Sequence, residues 1–347
     1  MIYYRPFGLV FGPDASLAIA NGSAGALGGM AQIGFSQVEV IEREAQTITR
    51  STKSFAELRD NPTVANITAK RPAFGGVALD QTKIMGIVNV TPDSFSDGGV
   101  NFQTETAIAQ GHAMAEQGAA ILDIGGESTR PGSDPVNIDE ERTRIMPVIA
   151  ELAKAHTISV DTRKATLMQE ALSHGAKIIN DVSALGYDPA SAATIAKANA
   201  PVILMHAQGE PRTMQLQPKY NDVALDVYDA LAGLISKADA AGIPKSRICI
   251  DPGIGFGKTF KQNLELLRQL SLFHGLGVAL LIGLSRKGFI GAITGEKTAA
   301  KRVAGSLAGA LHAAMHGAHI LRVHDVQETV DALAVFNAML DPHSAAV

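Results

Sequence analysis

The chain has 347 residues, 46% of them hydrophobic, enough to bury a sizeable core in one large domain or two modest ones. A formal net charge of −4 without a run of like charges leaves no basic footprint for nucleic acid and no charged tail. No stretch matches the roughly 18 apolar residues of a membrane span, and the N-terminal MIYYRPFGLVFG, with one arginine and an apolar patch broken by Pro and Gly, makes a poor signal peptide. The single cysteine, Cys249, excludes an internal disulfide framework, fits a reducing, cytoplasmic compartment, and reads as a packed core residue of an apolar run.

Residues 1–75 carry a Gly/Ala-rich patch (Asn21–Gly29), a strand-like run (Ser36–Ile41) and a short helical candidate (Ser54–Arg59). They are expected to form a leading segment packed on the main domain or partly ordered. Gly76–Asp80 and Lys83–Met85, around Asp80–Gln81, look like a hairpin. From about residue 77 a cycle takes over, in which a short β-branched apolar run is followed by a turn and a helical stretch. The runs are Ile84–Asn89, Ala120–Ile124, Thr157–Asp161, Lys177–Asn180, Pro201–Met205, Arg247–Asp251, Ala279–Gly283 and His319–Val323. Helical periodicity falls in Glu105–Gln117, Asp139–Lys154, Lys164–His174, Pro189–Ala198, Asp222–Ala241, Lys261–Phe273, Ala299–His316 and Gln327–Met339. Strands without polar alternation are buried on both faces, the mark of parallel strands covered by helices. Eight such units over residues 76–347 predict an α/β protein, a (β/α)₈ TIM barrel with an N-terminal leading segment and a hairpin plugging its bottom. A doubly wound open sheet is the alternative.

In such a barrel the strand C-termini converge on one pocket. Here they are Asn89, Asp123, Asp161, Asn180 with Asp181, Met205 with His206, Asp251, Ser285 with Lys287, and Arg322 with His324. Strand ends meet water and become polar in any protein, but that does not account for four carboxylates and two amides on one rim. Asp and Asn at the ends of inner strands offer the donors and acceptors that an aminopyrimidinone edge of a fused heterocycle needs. Lys287 would donate to a ring nitrogen or carbonyl. The loops Val90–Gly99 and Gly125–Gly132 lie over the mouth, where Thr129 and Arg130 can bind an anion. Arg322 and His324, with Asn89 and one divalent ion, would make a diphosphate site. GIGFGK at Gly253–Lys258 fails as a phosphate loop, because position 252 is Pro, and reads as a tight turn with Phe256 available to the pocket. His312 and His316 lack the glutamate of a zinc protease pattern. His206 reads equally as a packed or a catalytic histidine.

Eight motifs in order, each at a strand end, resemble the dihydropteroate synthase family: Gly86–Gly99, Asp123–Gly132, Ser159–Lys164, Ile178–Val182, Leu204–Gly209, Asp251–Lys258, Ser285–Lys287 and Arg322–Val326. The resemblance spans roughly residues 77–340. It implies condensation of 6-hydroxymethyl-7,8-dihydropterin pyrophosphate with p-aminobenzoate, a Mg²⁺ cofactor and a homodimer. It assigns pterin binding to Asp161, Asn180, Asp251 and Lys287, with Met205, Phe256 and Gly283 shaping the pocket. Asn89 would be the Mg²⁺ ligand, and Thr129, Arg322 and His324 the diphosphate contacts. Phe95, Pro131, Ser285 and Lys287 would line the p-aminobenzoate pocket. The departures are Ala207, where methionine is more usual, and the longer leading segment. The rivals are a folate-dependent methyltransferase, which would need neither Mg²⁺ nor the anion-clasping loops, and a non-catalytic pterin-binding protein.

Overall fold

The structure, a computed structural model, describes residues 1–90, 100–128, 135–209 and 218–342, the side chains of 100–102 excepted. Phe95, Thr129, Arg130 and Pro131 lie outside the described residues. Two bodies of secondary structure follow one another in the chain.

The first is an antiparallel sheet. β1 (Ile2–Phe11) and β4 (Thr47–Ser54) flank the long β3 (Ile33–Glu44), and the two-residue β2 (Gly25–Ala26) pairs with the start of β3. Helices α1 (Gly12–Ala20), α2 (Phe55–Leu58) and α3 (Pro62–Thr68) complete it. Leu27, Met30, Ile33, Phe35, Val38, Val64 and Ile67 give the sheet a small core of its own, while Tyr3 and Ile41 join the main core. The expected run Ser36–Ile41 is thus the middle of a 12-residue strand. The expected helix at 54–59 is the single turn α2, held by a capping box in which Ser54 and Glu57 exchange hydrogen bonds.

The second body is a closed barrel of eight parallel strands: β5 (Lys83–Asn89), β6 (Ile121–Gly125), β7 (Ile158–Asp161), β8 (Ile178–Asp181), β9 (Val202–Met205), β10 (Ile248–Asp251), β11 (Ala279–Ile282) and β12 (Ile320–Val323). Pairing of β12 with β5, from Ile320 opposite Lys83 to Val323 opposite Gly86, closes the ring and eliminates the open-sheet alternative. The outer layer is α4 (Val100–Glu116), α5 (Ile138–Leu152), α6 (Ala165–Ser173), α7 (Ser191–Ala198), α8 (Val223–Ala240), α9 (Phe260–Arg268), the short α10 (Gly288–Thr294), α11 (Val303–Met315) and α12 (Val326–Leu340). Polar caps fix where several of these helices begin: Asn137, Asp222 and Thr259 each accept from backbone N–H groups of the first turn. The expected helix over Lys261–Phe273 breaks after Arg268 and continues as a 3₁₀ segment, Leu270–Leu276.

The bottom of the barrel is sealed by apolar side chains. Met85, Ile121, Ile178, Ile203, Cys249, Leu281 and Ile320 cluster with Phe74 and Leu79, so Cys249 is a core residue whose thiol burial pushes well above its usual range. The expected hairpin is displaced. Lys83–Met85 belongs to the first barrel strand, and the plug is a tighter turn in which Phe74 and Val77 exchange backbone hydrogen bonds of 2.9 and 3.0 Å. Gly75 and Gly76, both at positive φ, allow it.

Candidate active site

Side chains of a strand alternate between its faces, so the position two residues beyond each floor residue also points inward. Applied to Ile121, Ile178, Ile203, Cys249, Leu281 and Ile320, the step gives Asp123, Asn180, Met205, Asp251, Gly283 and Arg322. One layer of the barrel is hydrocarbon, and the next is polar.

That polar layer is cross-linked. Arg322 donates from Nε to Asp123 Oδ2 at 2.6 Å and from Nη2 to Asp161 Oδ2 at 2.8 Å. Asn180 Nδ2 donates to the same Asp123 oxygen at 3.0 Å. Asp123 is fully buried and its Oδ1 has no protein partner. A buried acceptor without a donor costs about 1–3 kcal/mol, so this oxygen calls for a ligand N–H. Burial raises the Asp161 carboxyl to about 7, against the pull of Arg322 and reinforced by the Asp123 charge. Arg322 is held charged because the two carboxylates outweigh the cost of its burial. The sequence assigned Arg322 to the diphosphate; in the structure it bridges two carboxylates. Asn89 ends β5 opposite Gly125, and Gly125 is in turn opposite Asp161, which sets Asn89 in one row with Asp161 and Asn180.

On the other side of the mouth Asp251 pairs in register with Met205. A Cβ on Gly283 would lie 3.7 Å from Asp251 Oδ2 and 3.8 Å from Arg322 Cβ, so these three residues adjoin. Burial raises the Asp251 carboxyl, opposed by the Gly253 N–H, 2.7 Å from Oδ1, and by the charges of Lys287 and Lys258. The Lys287 ammonium sits 4.1 Å from the centre of the Phe256 ring, a cation–π contact that joins the turn after β10 to the one after β11. Ser285 Oγ accepts from the His324 backbone N–H at 3.2 Å and lies 3.1 Å from His324 Nδ1. Arg286, between Ser285 and Lys287, turns away to pair with Asp325.

The sequence overlooked Lys258. It is 1% exposed, and its Nζ meets four acceptors: Gly253 O at 2.9 Å, Phe256 O at 3.0 Å, His206 Nδ1 at 3.0 Å and His206 O at 3.4 Å. Desolvation lowers its pKa to about 7 and that of His206 to about 3, the latter also through the Lys258 charge. His206 is therefore a neutral packed histidine. The turn that Lys258 ties together needs glycine at Gly253 (φ +70°), where a Cβ would fall 1.9 Å from His206 O. The available signal was a lysine closing a glycine-rich turn with no acidic neighbour. Asp181, grouped with the rim in the sequence, instead receives the N–H groups of Ser183 and Leu185 and shapes its own turn. His312 and His316 bond backbone carbonyls.

The fold and this polar ring define a barrel built to read a planar heterocycle. The sequence pattern of the family described as "Pterin binding enzyme" matches residues 85–324. A dihydropteroate synthase of Neisseria meningitidis serogroup C is 49% identical over 267 residues, 76% of this chain and 94% of the relative. That of Escherichia coli K12 is 45% identical over 269 residues, 76% and 95% of the two chains. Among solved structures, the Xanthomonas albilineans dihydropteroate synthase with 4-aminobenzoic acid superposes with a TM-score of 0.72 at 49% identity, covering 76% of this chain and 95% of that one. Its complex with 7,8-dihydropteroate gives 0.70 at 46%, covering 76% and 96%. The chain belongs to the dihydropteroate synthase family of pterin-binding enzymes.

Proposed function

We infer that the chain condenses 6-hydroxymethyl-7,8-dihydropterin pyrophosphate with p-aminobenzoate, giving 7,8-dihydropteroate and pyrophosphate. The observation that carries the reading is the ring Asp123–Arg322–Asp161 with Asn180 and Asp251, buried acceptors and donors at the height where a pterin edge would enter.

In this reading Asp123, Asp161, Asn180 and Asp251 bind the pterin edge, Lys287 donates to its carbonyl or ring nitrogen, and Met205, Phe256 and Gly283 bound its faces. An aniline nitrogen is a weak nucleophile, since its lone pair is delocalised into the ring. The economical route breaks the C–O bond to the diphosphate first, in an S_N1-like step, and the amine then adds to the resonance-stabilised pterin methylene cation. Buried Asp161 and Asp251, fixed before the reaction, favour that positive charge without reorganisation. His324 and Thr129, with Arg130, serve the departing diphosphate, and Phe95, Pro131, Ser285 and Lys287 the p-aminobenzoate.

Among the described residues no group of three or more His, Cys, Asp or Glu is arranged to hold a metal. Asp123 and Asp161 are engaged by Arg322, which leaves the Asn89 amide oxygen at the end of β5. One hard protein oxygen completed by diphosphate oxygens and water is a donor set that suits Mg²⁺. When bound, Mg²⁺ would neutralise charge on the leaving diphosphate. We further propose a cytoplasmic homodimer, the compartment from the single cysteine and the dimer from the family resemblance.

The reading is tested by incubating purified protein with both substrates, with and without Mg²⁺, and following dihydropteroate and pyrophosphate. Equal, Mg²⁺-dependent formation of the two is expected. A folded protein that binds pterin and forms no product would overturn it in favour of a methyltransferase or a pterin-binding protein. A trapped covalent enzyme–pterin adduct would overturn the S_N1-like route.

A further inference from the structure

The family match starts at residue 85, so the N-terminal sheet precedes it. Its packing falls mainly on the 3₁₀ segment Leu270–Leu276, while its ion pairs to the barrel fall on α8. Arg43, at the end of β3, donates to Asp226 Oδ1 at 2.7 Å and also pairs with Asp229, which accepts the Tyr3 hydroxyl at 3.0 Å. Arg50, in the middle of β4, donates to Asp222 Oδ2 at 3.1 Å. Asp222 is the N-cap of α8, its other oxygen accepting from the Ala224 and Leu225 N–H groups. Three carboxylates in the first two turns of one barrel helix are thus held by two arginines of the added sheet.

The helix they hold is the continuation of a segment that reaches the site. Asn221 N–H donates to Asp226 Oδ2 at 2.7 Å, and the neighbouring Tyr220 hydroxyl donates to Gly257 O at 2.8 Å. Lys219 N–H and O both bond the Gln208 side-chain amide, and the Gln208 backbone packs against Gly257 so closely that a Cβ there would come within 2.5 Å of Gln208 O. Gly257 belongs to the turn that Lys258 ties to His206 and that sets Phe256 over Lys287. A polar cavity of about 290 Å³, lined by Arg50, Tyr220, Asp222 and Gln269, separates the sheet from the end of α9. Apolar contact also joins sheet and barrel, with Tyr3 and Ile41 in the main core, but the link that reaches the Gly253–Lys258 turn runs through these polar side chains.

We propose that the N-terminal sheet is a brace for the pterin half of the site, with Arg43, Arg50 and Tyr220 as positioning residues that act on the Gly253–Lys258 turn through the cap of α8. The inference rests on the pterin-transfer reading above. It places the sheet's effect mainly on the pterin, because Asp251 and Phe256 belong to this turn or adjoin it, whereas of the residues expected at the second substrate Lys287 alone is shown in contact with it.

The test is steady-state kinetics on full-length Arg50→Ala, Arg43→Ala and Tyr220→Phe proteins, with amide hydrogen exchange read over residues 253–258. Each substitution is expected to raise KM for the pterin pyrophosphate about 3–10-fold, the worth of one ordinary intramolecular hydrogen bond. KM for p-aminobenzoate should stay within about twofold, exchange over 253–258 should quicken, and Arg50→Lys should recover most of the loss. Because the residues act in series, Arg50→Ala combined with Tyr220→Phe should cost little more than the larger single change. Equal rises in both KM values, fully additive effects, or a fall in melting temperature with KM and exchange unchanged would overturn the brace. A wild-type protein without turnover would defeat the pterin-transfer reading instead, and the exchange measurement would still decide the brace.

Discussion

Replacing Asp161 with asparagine should stabilise the ligand-free protein at pH 8 while destroying pterin binding. Asp161 is 7% exposed, and burial with the nearby Asp123 charge raises its carboxyl from 3.8 to about 7 despite the Arg322 ion pair. Below the unfolded value both states hold the proton, and the residue contributes no pH dependence. Between about 4 and 7 the folded state keeps a proton that the unfolded chain has lost, so stability falls as pH rises through that window. Above 7 the loss is complete. About two pH units of the window lie above pH 5, and at 1.36 kcal/mol per unit the wild type loses about 3 kcal/mol between pH 5 and pH 8 through this group. Asparagine does not titrate. It keeps an acceptor for Arg322, so its melting temperature relative to wild type should rise by roughly 4–6 °C from pH 5 to pH 8. Thermal melts of both proteins at the two pH values, without ligand, supply the comparison. A difference that is the same at pH 5 and pH 8 would refute the burial argument, and undiminished pterin affinity in the variant would refute the assigned role.

Three further outcomes follow from the same geometry. Arg322→Met leaves the buried Asp123 and Asp161 facing each other without a cation; it should cost about 3–5 kcal/mol in denaturant unfolding, and retention of wild-type stability would contradict the cross-linked ring. Asn89→Ala should raise the Mg²⁺ concentration for half-maximal activity about tenfold while leaving binding of a pterin without diphosphate unchanged, as titration calorimetry would read; an unchanged Mg²⁺ requirement would remove Asn89 as the ligand. Lys258→Met strips the donors from Gly253 O and Phe256 O and should raise KM for the pterin pyrophosphate at least tenfold, with Lys258→Arg no better because the enclosed site fits an ammonium; an active Lys258→Met protein would show that the turn holds its shape alone.

The barrel was legible because its strands carry one message. Runs such as Ile178–Asp181 and Ile248–Asp251 are apolar on both faces and end abruptly in acid or amide, and burial on both faces is what parallel strands require. Several site residues were legible for the same reason, since Asp123, Asn180, Asp251 and Arg322 each stand two positions beyond a floor residue. The N-terminal sheet was mostly illegible. β4 reads TITRSTKS and is exposed along nearly its whole length, so no alternation marks it. β1 contains Pro6 and Gly8, which weaken a strand signal, and its partner lies some 30 residues away. The pairings of Arg322 were out of reach too: an arginine at a strand end suits a diphosphate and a carboxylate equally, and only the folded barrel shows Asp123 and Asp161 both within reach of its guanidinium. Lys258 escaped because its partners are mostly backbone carbonyls, which sequence does not display.

The most direct measurement is an equilibrium titration of wild-type and Asp251→Asn protein with the pterin pyrophosphate, without p-aminobenzoate. The account predicts one binding event per chain in the wild type and at least a hundredfold loss of affinity in the variant, whose amide offers a donor where the pterin needs an acceptor. Equal affinity in the two proteins would contradict the claim that the polar ring at the strand ends reads the pterin.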